Sequence, residues 1–324
     1  MNLANRILIV GPSWVGDMVM AQSLFKILKL ELPDCEIDVL APSWSLPIIE
    51  RMPEVSNAIK LPFKHGQLNL RKRWLFGHSF RNNYQRAILL TTSWKSAIIP
   101  FSANISKRTG WIGELRFGLV NDIRVNKKKY EKTVERFVAL AFSANKKNIS
   151  IPFPSLTIDT KKQKIFLSDF GIGKEADRPL LGLCPGSEVQ KKCWSKNGFA
   201  EIAETYLNRD WDVFLFGSEK DRDYCEKINV KTKNRCINLA GQTSLTQVID
   251  LMSACDAVVS NDSGLMHVAA AVDRPLVGIF LCTDPKFTPP LCSKKEIISR
   301  YDMNEKFISP NEVDYSIQRV LNME

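Results

Sequence analysis

The first half of the chain alternates short apolar runs with longer stretches in which apolar residues recur every three or four positions. Short apolar runs predict buried strands, and the longer stretches predict helices that pack on them. This alternation favours a parallel sheet with helices on both faces. The predicted strands are 6–10, 36–41, 58–61 and 87–92, the predicted helices are 17–30 and a short one near Trp44, and the basic segments 64–84 and 121–133 are predicted to be loops or exposed helices.

The same alternation resumes after Pro152 and Pro154, where two prolines interrupt the pattern and a lysine-rich segment follows. We therefore predict an α/β protein with two doubly wound, Rossmann-like domains, 1–155 and 156–324, that face each other across a central cleft. A last helix over 311–321 is predicted to return toward the N-terminal domain. The strands predicted in the second domain are 180–184, 212–216, 236–240, 256–260 and 276–281.

Composition restricts the class of protein. The chain has 324 residues, of which 44% are hydrophobic, and this is enough for two cores. No run of about eighteen apolar residues is present, and no signal-peptide cleavage site precedes the first strand, so we expect a cytoplasmic protein. Eight cysteines without a Cys-x-x-Cys pair and three separated histidines indicate neither a disulfide framework nor a metal site.

Charge is distributed unevenly along the chain. Residues 1–152 contain 23 lysines and arginines against 11 acidic residues, whereas residues 153–324 contain 22 against 24. A basic first domain suggests that it meets a polyanion, and nucleic acid, an anionic membrane surface and a phosphorylated substrate all fit this requirement. The alternative is a solvated basic surface without a specific partner.

Residues 261–271 are the most informative segment, because a polar turn, Asp262-Ser263-Gly264, directly follows an apolar strand and opens a helix. A glycine that lets a ligand approach the backbone and the N–H groups of a helix start favour a bound phosphate. We interpret the turn as a nucleotide-diphosphate site. Alternatively, Asp262 or Ser263 is only a helix N-cap and His267 is a core residue.

Two further turns, 11–17 and 185–195, also join a strand to a helix, at the sheet edge where doubly wound domains bind ligands. Asp17 is either a general base or a helix cap, and the sequence leaves both open. Lys192 precedes a helix predicted to begin near Asn197 and is placed to contact an anion there; an exposed basic loop is the alternative. Asp221, in a later turn, either binds ribose or begins the next helix.

The first strand-to-helix turn lacks the phosphate-binding motifs of two common classes of nucleotide enzyme. The turn 11–17 reads Gly-Pro-Ser-Trp-Val-Gly-Asp, which is neither the Gly-x-Gly-x-x-Gly fingerprint nor a Walker lysine loop. These differences count against a nicotinamide-dependent oxidoreductase and against a kinase.

Taken in order, the motifs resemble those of the lipopolysaccharide heptosyltransferases of glycosyltransferase family 9. The likeness runs over nearly the whole chain. It rests on Gly-Pro-Ser-Trp-Val-Gly-Asp at 11–17, Arg-Thr-Gly-Trp at 108–111, Cys-Pro-Gly at 184–186, Leu-Ala-Gly at 239–241, the segment 261–267 and Phe-Thr-Pro-Pro-Leu at 287–291.

The resemblance implies a GT-B glycosyltransferase whose N-terminal domain receives a lipid A-linked inner-core acceptor and whose C-terminal domain binds ADP-heptose. It further implies inverting transfer without metal or cofactor, peripheral association with the anionic inner face of the cytoplasmic membrane, and no nucleic-acid partner. By position it gives catalytic roles to Asp17 and Lys192, donor contacts to Ser187, Asp221, Thr243, Asp262, Ser263, Gly264 and His267, and acceptor contacts to Ser13, Trp14, Gly16 and Arg108.

One departure concerns the donor loop, where family members commonly read Lys-Arg-Trp-Pro and this chain has Lys192-Cys193-Trp194-Ser195. The planar fork of arginine is lost, and Lys191 replaces at most part of its charge. Ser195 is expected to cap the helix that the proline would have started. Three alternatives therefore stay open: another GT-B transferase, a nucleotide-sugar epimerase, and a non-catalytic basic protein that binds lipopolysaccharide or nucleic acid.

Overall fold

The computed structural model describes residues 6–63, 66–143, 150–172 and 178–323. The chain divides into two compact units, Met1–Pro154 and Ser155–Glu324. Each unit has its own parallel sheet and its own core. None of the described helices is both long and apolar enough to cross a bilayer.

The first unit contains a six-stranded sheet in which all paired strands run parallel. Its strands are β1 (Arg6–Val10), β2 (Glu36–Ala41), β3 (Asn57–Lys60), β4 (Arg86–Leu89), β5 (Lys107–Trp111) and β6 (Asp122–Arg124), and its α-helices are α1 (Val15–Glu31), α2 (Leu46–Ile49), α3 (Leu70–His78), α4 (Trp94–Ser102) and α5 (Thr133–Val138). The sheet order is β3-β2-β1-β4-β5-β6.

The second unit repeats this arrangement. Its strands are β7 (Leu180–Cys184), β8 (Asp212–Leu215), β9 (Ile237–Asn238), β10 (Ala257–Asn261), β11 (Leu276–Phe280) and β12 (Lys295–Ser299), and its α-helices are α6 (Thr160–Asp169), α7 (Lys196–Leu207), α8 (Arg222–Lys231), α9 (Leu245–Met252), α10 (Gly264–Ala271) and α11 (Pro310–Leu321). The sheet order is β12-β11-β10-β7-β8-β9.

Both sheets therefore share the 3-2-1-4-5-6 order of the dinucleotide-binding fold, counted within each unit. In this order the connections leave the central pair of strands in opposite directions, which opens a crevice beyond their carboxyl ends. The central pairs are β1 with β4 and β7 with β10. The turns that the sequence singled out, 11–17, 185–195 and 261–264, follow three of these four strands.

The predicted α/β class and most strand positions are confirmed. The predicted capping box is also present, since Ser244 Oγ accepts from Gln247 N while the Gln247 side chain accepts from Ser244 N. The final helix occupies the expected stretch of the sequence, and its buried residues Val313, Ile317 and Val320 belong to the core of the second unit. Its return toward the first unit stays a prediction. The segments predicted as loops or exposed helices contain α3, β6 and a 3₁₀ turn at Lys127–Lys129.

Candidate active site

Asn261, the last residue of β10, ties the two central loops of the second unit together. Its side chain is fully buried. Nδ2 donates to the carbonyl of Pro185 at 2.7 Å, and Oδ1 accepts from the backbone N–H of Trp194 at 2.9 Å. Because both bonds are buried, the loop after β7 is held in a fixed position beside the start of α10.

Asp262 organises the polar side chains at this edge. It is 5% exposed, and its Oδ2 atom accepts from Lys192 Nζ at 2.6 Å and from Thr283 Oγ1 at 2.6 Å. The Asp262 carbonyl accepts from Ser187 Oγ at 3.3 Å. The Lys192 side chain keeps 24% of its surface exposed while that of Asp262 keeps 6%, so the carboxylate fixes an ammonium whose outer side still faces solvent.

Ser263 occupies the N-cap position of α10 in extended geometry, and its side chain makes no capping hydrogen bond. Ser263 is thus the N-cap residue by position, as the alternative interpretation has it, whereas Asp262 lies one residue before the cap. Because the Ser263 side chain makes no capping bond, it leaves the N–H groups of the first turn to other acceptors. The positive end of the helix dipole and the N–H groups of the first turn favour an anion at this point. Lys192 adds an ammonium donor near the same end of the helix, although the Asp262 carboxylate offsets its charge.

His267 lies one turn further along α10 and is 5% exposed. Burial lowers the pKa of His267 to about 4; the Asp262 carboxylate opposes this shift and the Lys192 ammonium adds to it. The imidazole is therefore neutral at neutral pH. A neutral ring at this position adds no second buried charge beside the buried carboxylate of Asp262.

The loop after β7 departs from the family pattern without losing its helix start. Ser195 occupies the N-cap of α7, and its Oγ atom accepts from Gly198 N at 3.0 Å, as the sequence predicts. Lys192 ends a 3₁₀ turn, Gln190–Lys192, and Lys191 is exposed. A Cβ atom at Gly186 would overlap the carboxyl group of Asp221, so a larger residue there would have to displace the Asp221 side chain.

Asp221 and Thr243 follow the next two strands of the same sheet edge. Asp221 Oδ2 accepts from Ser218 N at 2.8 Å and from Ser218 Oγ at 2.7 Å, so one carboxylate oxygen is used within its own turn. Thr243 Oγ1 donates to the carbonyl of Leu239 at 3.3 Å. The ribose and adenine contacts assigned to these residues stay predictions.

In the first unit, a cavity of about 540 Å³ lies beyond the carboxyl ends of β1 and β4. Of the predicted residues, Ser13, Trp14 and Asp17 line it. The Ser13 carbonyl accepts from Trp44 Nε1 at 2.7 Å, which fastens the loop after β1 to the next one along the sheet edge. The sequence reasoning missed the four cations of this wall, which are Arg73, Lys95, Lys127 and Arg136.

Asp17 lies in the first turn of α1, whose N-cap is Trp14. The alternative that Asp17 is the N-cap residue is therefore wrong. Burial lowers the pKa of Lys127, nearby Arg136 and Arg116 lower it further, and the charge of Asp17 raises it. Lys127 is thus close enough to Asp17 for their charges to interact, and a negative carboxylate is favoured both by this ammonium and by the helix dipole.

Two residues predicted to contact the acceptor, Gly16 and Arg108, are not among the residues that line this cavity, and their acceptor contacts stay predictions. The guanidinium of Arg108 donates to the carbonyls of Leu119, at 2.6 Å, and of Ile105, and lies over the Phe101 ring. Arg108 therefore fastens the segments that precede β5 and β6. Gly16 is buried in the first turn of α1, where the absence of a side chain leaves only its backbone for any contact.

Two doubly wound units, each with polar turns at its strand-order switch point, are the parts from which glycosyltransferases of the GT-B class are built. The sequence pattern of glycosyltransferase family 9 (heptosyltransferase) matches residues 73–312. The chain is 47% identical to lipopolysaccharide heptosyltransferase 2 of Salmonella typhimurium over 306 residues, covering 90% of this chain and 87% of that protein. This chain belongs to glycosyltransferase family 9, and it is an enzyme.

Other relatives agree. The chain is 46% identical to lipooligosaccharide heptosyltransferase 2 of Haemophilus influenzae, covering 90% of this chain and 88% of that protein. The solved structure of Escherichia coli ADP-heptose lps heptosyltransferase II superimposes with a TM-score of 0.88 at 39% identity, covering 98% of each chain. The family and the fold predicted from the sequence motifs are confirmed.

Proposed function

We propose that this chain is a heptosyltransferase II, which transfers heptose from ADP-L-glycero-D-manno-heptose to the first heptose of the lipopolysaccharide inner core, heptosyl-Kdo2-lipid A. The names of the relatives in Salmonella, Haemophilus and Escherichia coli support the substrate pair. The observation that carries the proposal is the Lys192–Asp262 ion pair near the start of α10, whose N-cap side chain makes no capping bond. The Lys192 ammonium and the free N–H groups of the helix are donors that can bind the oxygens of a diphosphate leaving group.

In the proposed reaction, Asp17 accepts the proton of the acceptor hydroxyl while the oxygen of that hydroxyl forms a bond to the anomeric carbon of the donor heptose. The bond between that carbon and the ADP oxygen breaks, and ADP leaves with the electron pair. Attack from the opposite face inverts the anomeric centre. Lys192 and the N–H groups of α10 stabilise the charge on ADP, which is the task that a divalent cation performs in other transferases.

The acceptor is anionic, and the cavity of the first unit supports this assignment. Its wall contains four cations, Arg73, Lys95, Lys127 and Arg136, and two acidic residues, Asp17 and Glu114. Since the acceptor carries a lipid, we also propose that the enzyme works at the inner face of the cytoplasmic membrane, bound peripherally to its anionic surface.

Incubation with ADP-heptose and heptosyl-Kdo2-lipid A, followed by mass spectrometry of the lipid, tests the proposal. We expect the acceptor to gain one heptose and ADP to be released in equal amount. Calorimetric titration separates the alternatives, since another GT-B enzyme would prefer a different nucleotide such as UDP, and a non-catalytic relative would bind the acceptor without affinity for ADP. No transfer together with no ADP binding would refute the proposal.

A further inference from the structure

Helix α3 of the first unit and the turn just before it expose several large apolar side chains. Leu68, Leu70, Trp74 and Leu75 are between 45 and 59% exposed. The other side of the helix packs on α4 so closely that a Cβ atom at Gly77 would overlap the Ile99 carbonyl and Ser102. The helix is therefore fixed to the domain by its inner side, while large apolar side chains point outward.

Cations accompany this apolar surface. Arg71 and Lys72 are exposed on the same helix, and together with the four apolar residues they form what we call the α3 surface. Between Glu54 and Glu114 the sequence has ten lysines and arginines and no acidic residue. Exposed tryptophan and leucine beside lysine and arginine, with no acidic residue in this stretch of the sequence, match the interface of an anionic bilayer, where indole rings lie at headgroup level.

The α3 surface also adjoins the cationic cavity. Arg73, between Lys72 and Trp74, is 6% exposed, and its guanidinium donates to the carbonyls of Leu68 at 2.7 Å and Gln67 at 2.9 Å. It lies 4.4 Å from the centre of the Phe63 ring, and both residues line the cavity. One helix thus presents a buried cation to the cavity and apolar residues to solvent.

We propose that the α3 surface docks on an anionic phospholipid bilayer. Trp74 and Leu75 enter the headgroup region, and Arg71 and Lys72 contact lipid phosphates. The docking itself does not depend on the reaction. Its role in catalysis rests on the proposed function: the bilayer holds the lipid anchor of the acceptor beside α3 while the sugar enters the cavity next to Arg73.

Sedimentation with vesicles of phosphatidylethanolamine and phosphatidylglycerol tests the docking. Trp74→Ser/Leu75→Ser is expected to lower the partition coefficient by about tenfold or more, since it removes most of the inserted apolar area. Arg71→Gln/Lys72→Gln is expected to lower it about 30-fold at low salt, as two interfacial cations imply. The matched control Val230→Ser/Tyr315→Ser removes side chains that are 59 and 66% exposed on the second unit, and its partition should stay within about twofold of wild type.

Trp74 contacts Phe101 with a ring separation of 6.0 Å, so Leu75→Ser alone serves as the variant least able to disturb folding. Circular dichroism confirms that each variant is folded. Vesicle binding by Trp74→Ser/Leu75→Ser equal to wild type, or equal wild-type binding to phosphatidylcholine vesicles, would overturn the proposal. Binding of this surface to a protein or to duplex RNA in place of vesicles would overturn it as well.

A transfer assay distinguishes this proposal from the proposed function. Trp74→Ser/Leu75→Ser should retain wild-type transfer to a deacylated, water-soluble acceptor and lose about tenfold on acceptor embedded in vesicles. Equal loss on both acceptors would contradict a docking role for the α3 surface. Vesicle binding that depends on Trp74 and Leu75, in a wild-type protein that transfers heptose to neither acceptor, would support the docking and refute the proposed function.

Discussion

Lys192 Nζ lies 2.6 Å from Oδ2 of Asp262, at the start of a helix whose N-cap side chain makes no capping bond. Asp262 is almost completely buried and Lys192 is not. The pair therefore holds one partly exposed ammonium near the start of α10, where the ammonium and the free N–H groups of the helix can bind the same anion. This relationship supports the assignment of the donor diphosphate to the second unit.

Lys192→Ala is expected to reduce transfer about 100-fold, because one preorganised donor to the leaving group is lost. It should also destabilise the protein by about 1–3 kcal/mol, since the buried Asp262 carboxylate loses its partner. The double variant Lys192→Met/Asp262→Asn separates the two effects, because it should recover stability in thermal unfolding but not activity. A loss of less than about threefold for Lys192→Ala would assign the role to Lys191.

Asp17→Asn is expected to fold normally and to bind ADP like wild type. Transfer should fall about 100-fold or more, in line with the usual contribution of a general base. Steady-state rates with saturating donor measure the loss, and calorimetry with ADP provides the control. Turnover close to wild type would remove Asp17 from the mechanism.

Lys127→Met is expected to shift the acidic limb of the pH–rate profile to higher pH. The reason is that the Lys127 ammonium interacts with the Asp17 charge and favours its ionised form. Lys128→Met, which changes an exposed residue of the same 3₁₀ turn, is the matched control and should leave the limb in place. An unchanged profile in Lys127→Met would show that the two charges are not coupled in the working enzyme.

His267 is expected to make the free energy of unfolding depend on pH. Its pKa is about 4 when folded and about 6.5 in an unfolded chain, so the unfolded state binds the extra proton between these values. The stability from the neutral imidazole is therefore complete above about pH 6.5 and is lost as pH falls toward 4, by about 1.4 kcal/mol per pH unit. Denaturant unfolding of wild type and His267→Gln checks this, and the variant should show the shallower dependence on pH. Equal slopes would contradict it.

Ser195→Ala tests the departure from the family's Lys-Arg-Trp-Pro pattern. Loss of the bond from Gly198 N should cost about 1 kcal/mol of unfolding free energy. Ser195→Pro, which restores the residue common in the family, should recover that stability because proline fixes φ near −65° and Ser195 already has a φ of −63°. Chemical denaturation measures both. Full stability of the alanine variant would show that the cap is dispensable.

The fold was largely predictable because strands such as β1, β7 and β10 are short apolar runs, and both predicted caps, Ser195 and Ser244, use local contacts. Strands β5, β6 and β12 were missed, and β6 lies in the segment 121–133 that was predicted to be a loop or exposed helix. The sequence of β5, Lys-Arg-Thr-Gly-Trp, is too polar to read as a buried run, and all but one residue of β12 are half-buried at a sheet edge. Such strands are specified by their neighbours rather than by their own pattern.

Some residues of the candidate site could be predicted from the sequence, and others could not. Asp17, Lys192 and Asp262 follow strands at the edge where ligands of this fold bind, so their positions follow from the sequence. The cations of the first unit's cavity come from four separate elements, and only the folded chain brings Arg73, Lys95, Lys127 and Arg136 together. The uneven charge of the two halves was the one signal for them, and it names no residue.

A crystal structure of the protein with ADP tests the central claim most directly. The account predicts the diphosphate at the start of α10, with an oxygen about 3 Å from Lys192 Nζ and from an N–H of the first helical turn. A well-ordered ADP bound elsewhere, or a diphosphate without contact to either Lys192 or that turn, would contradict it.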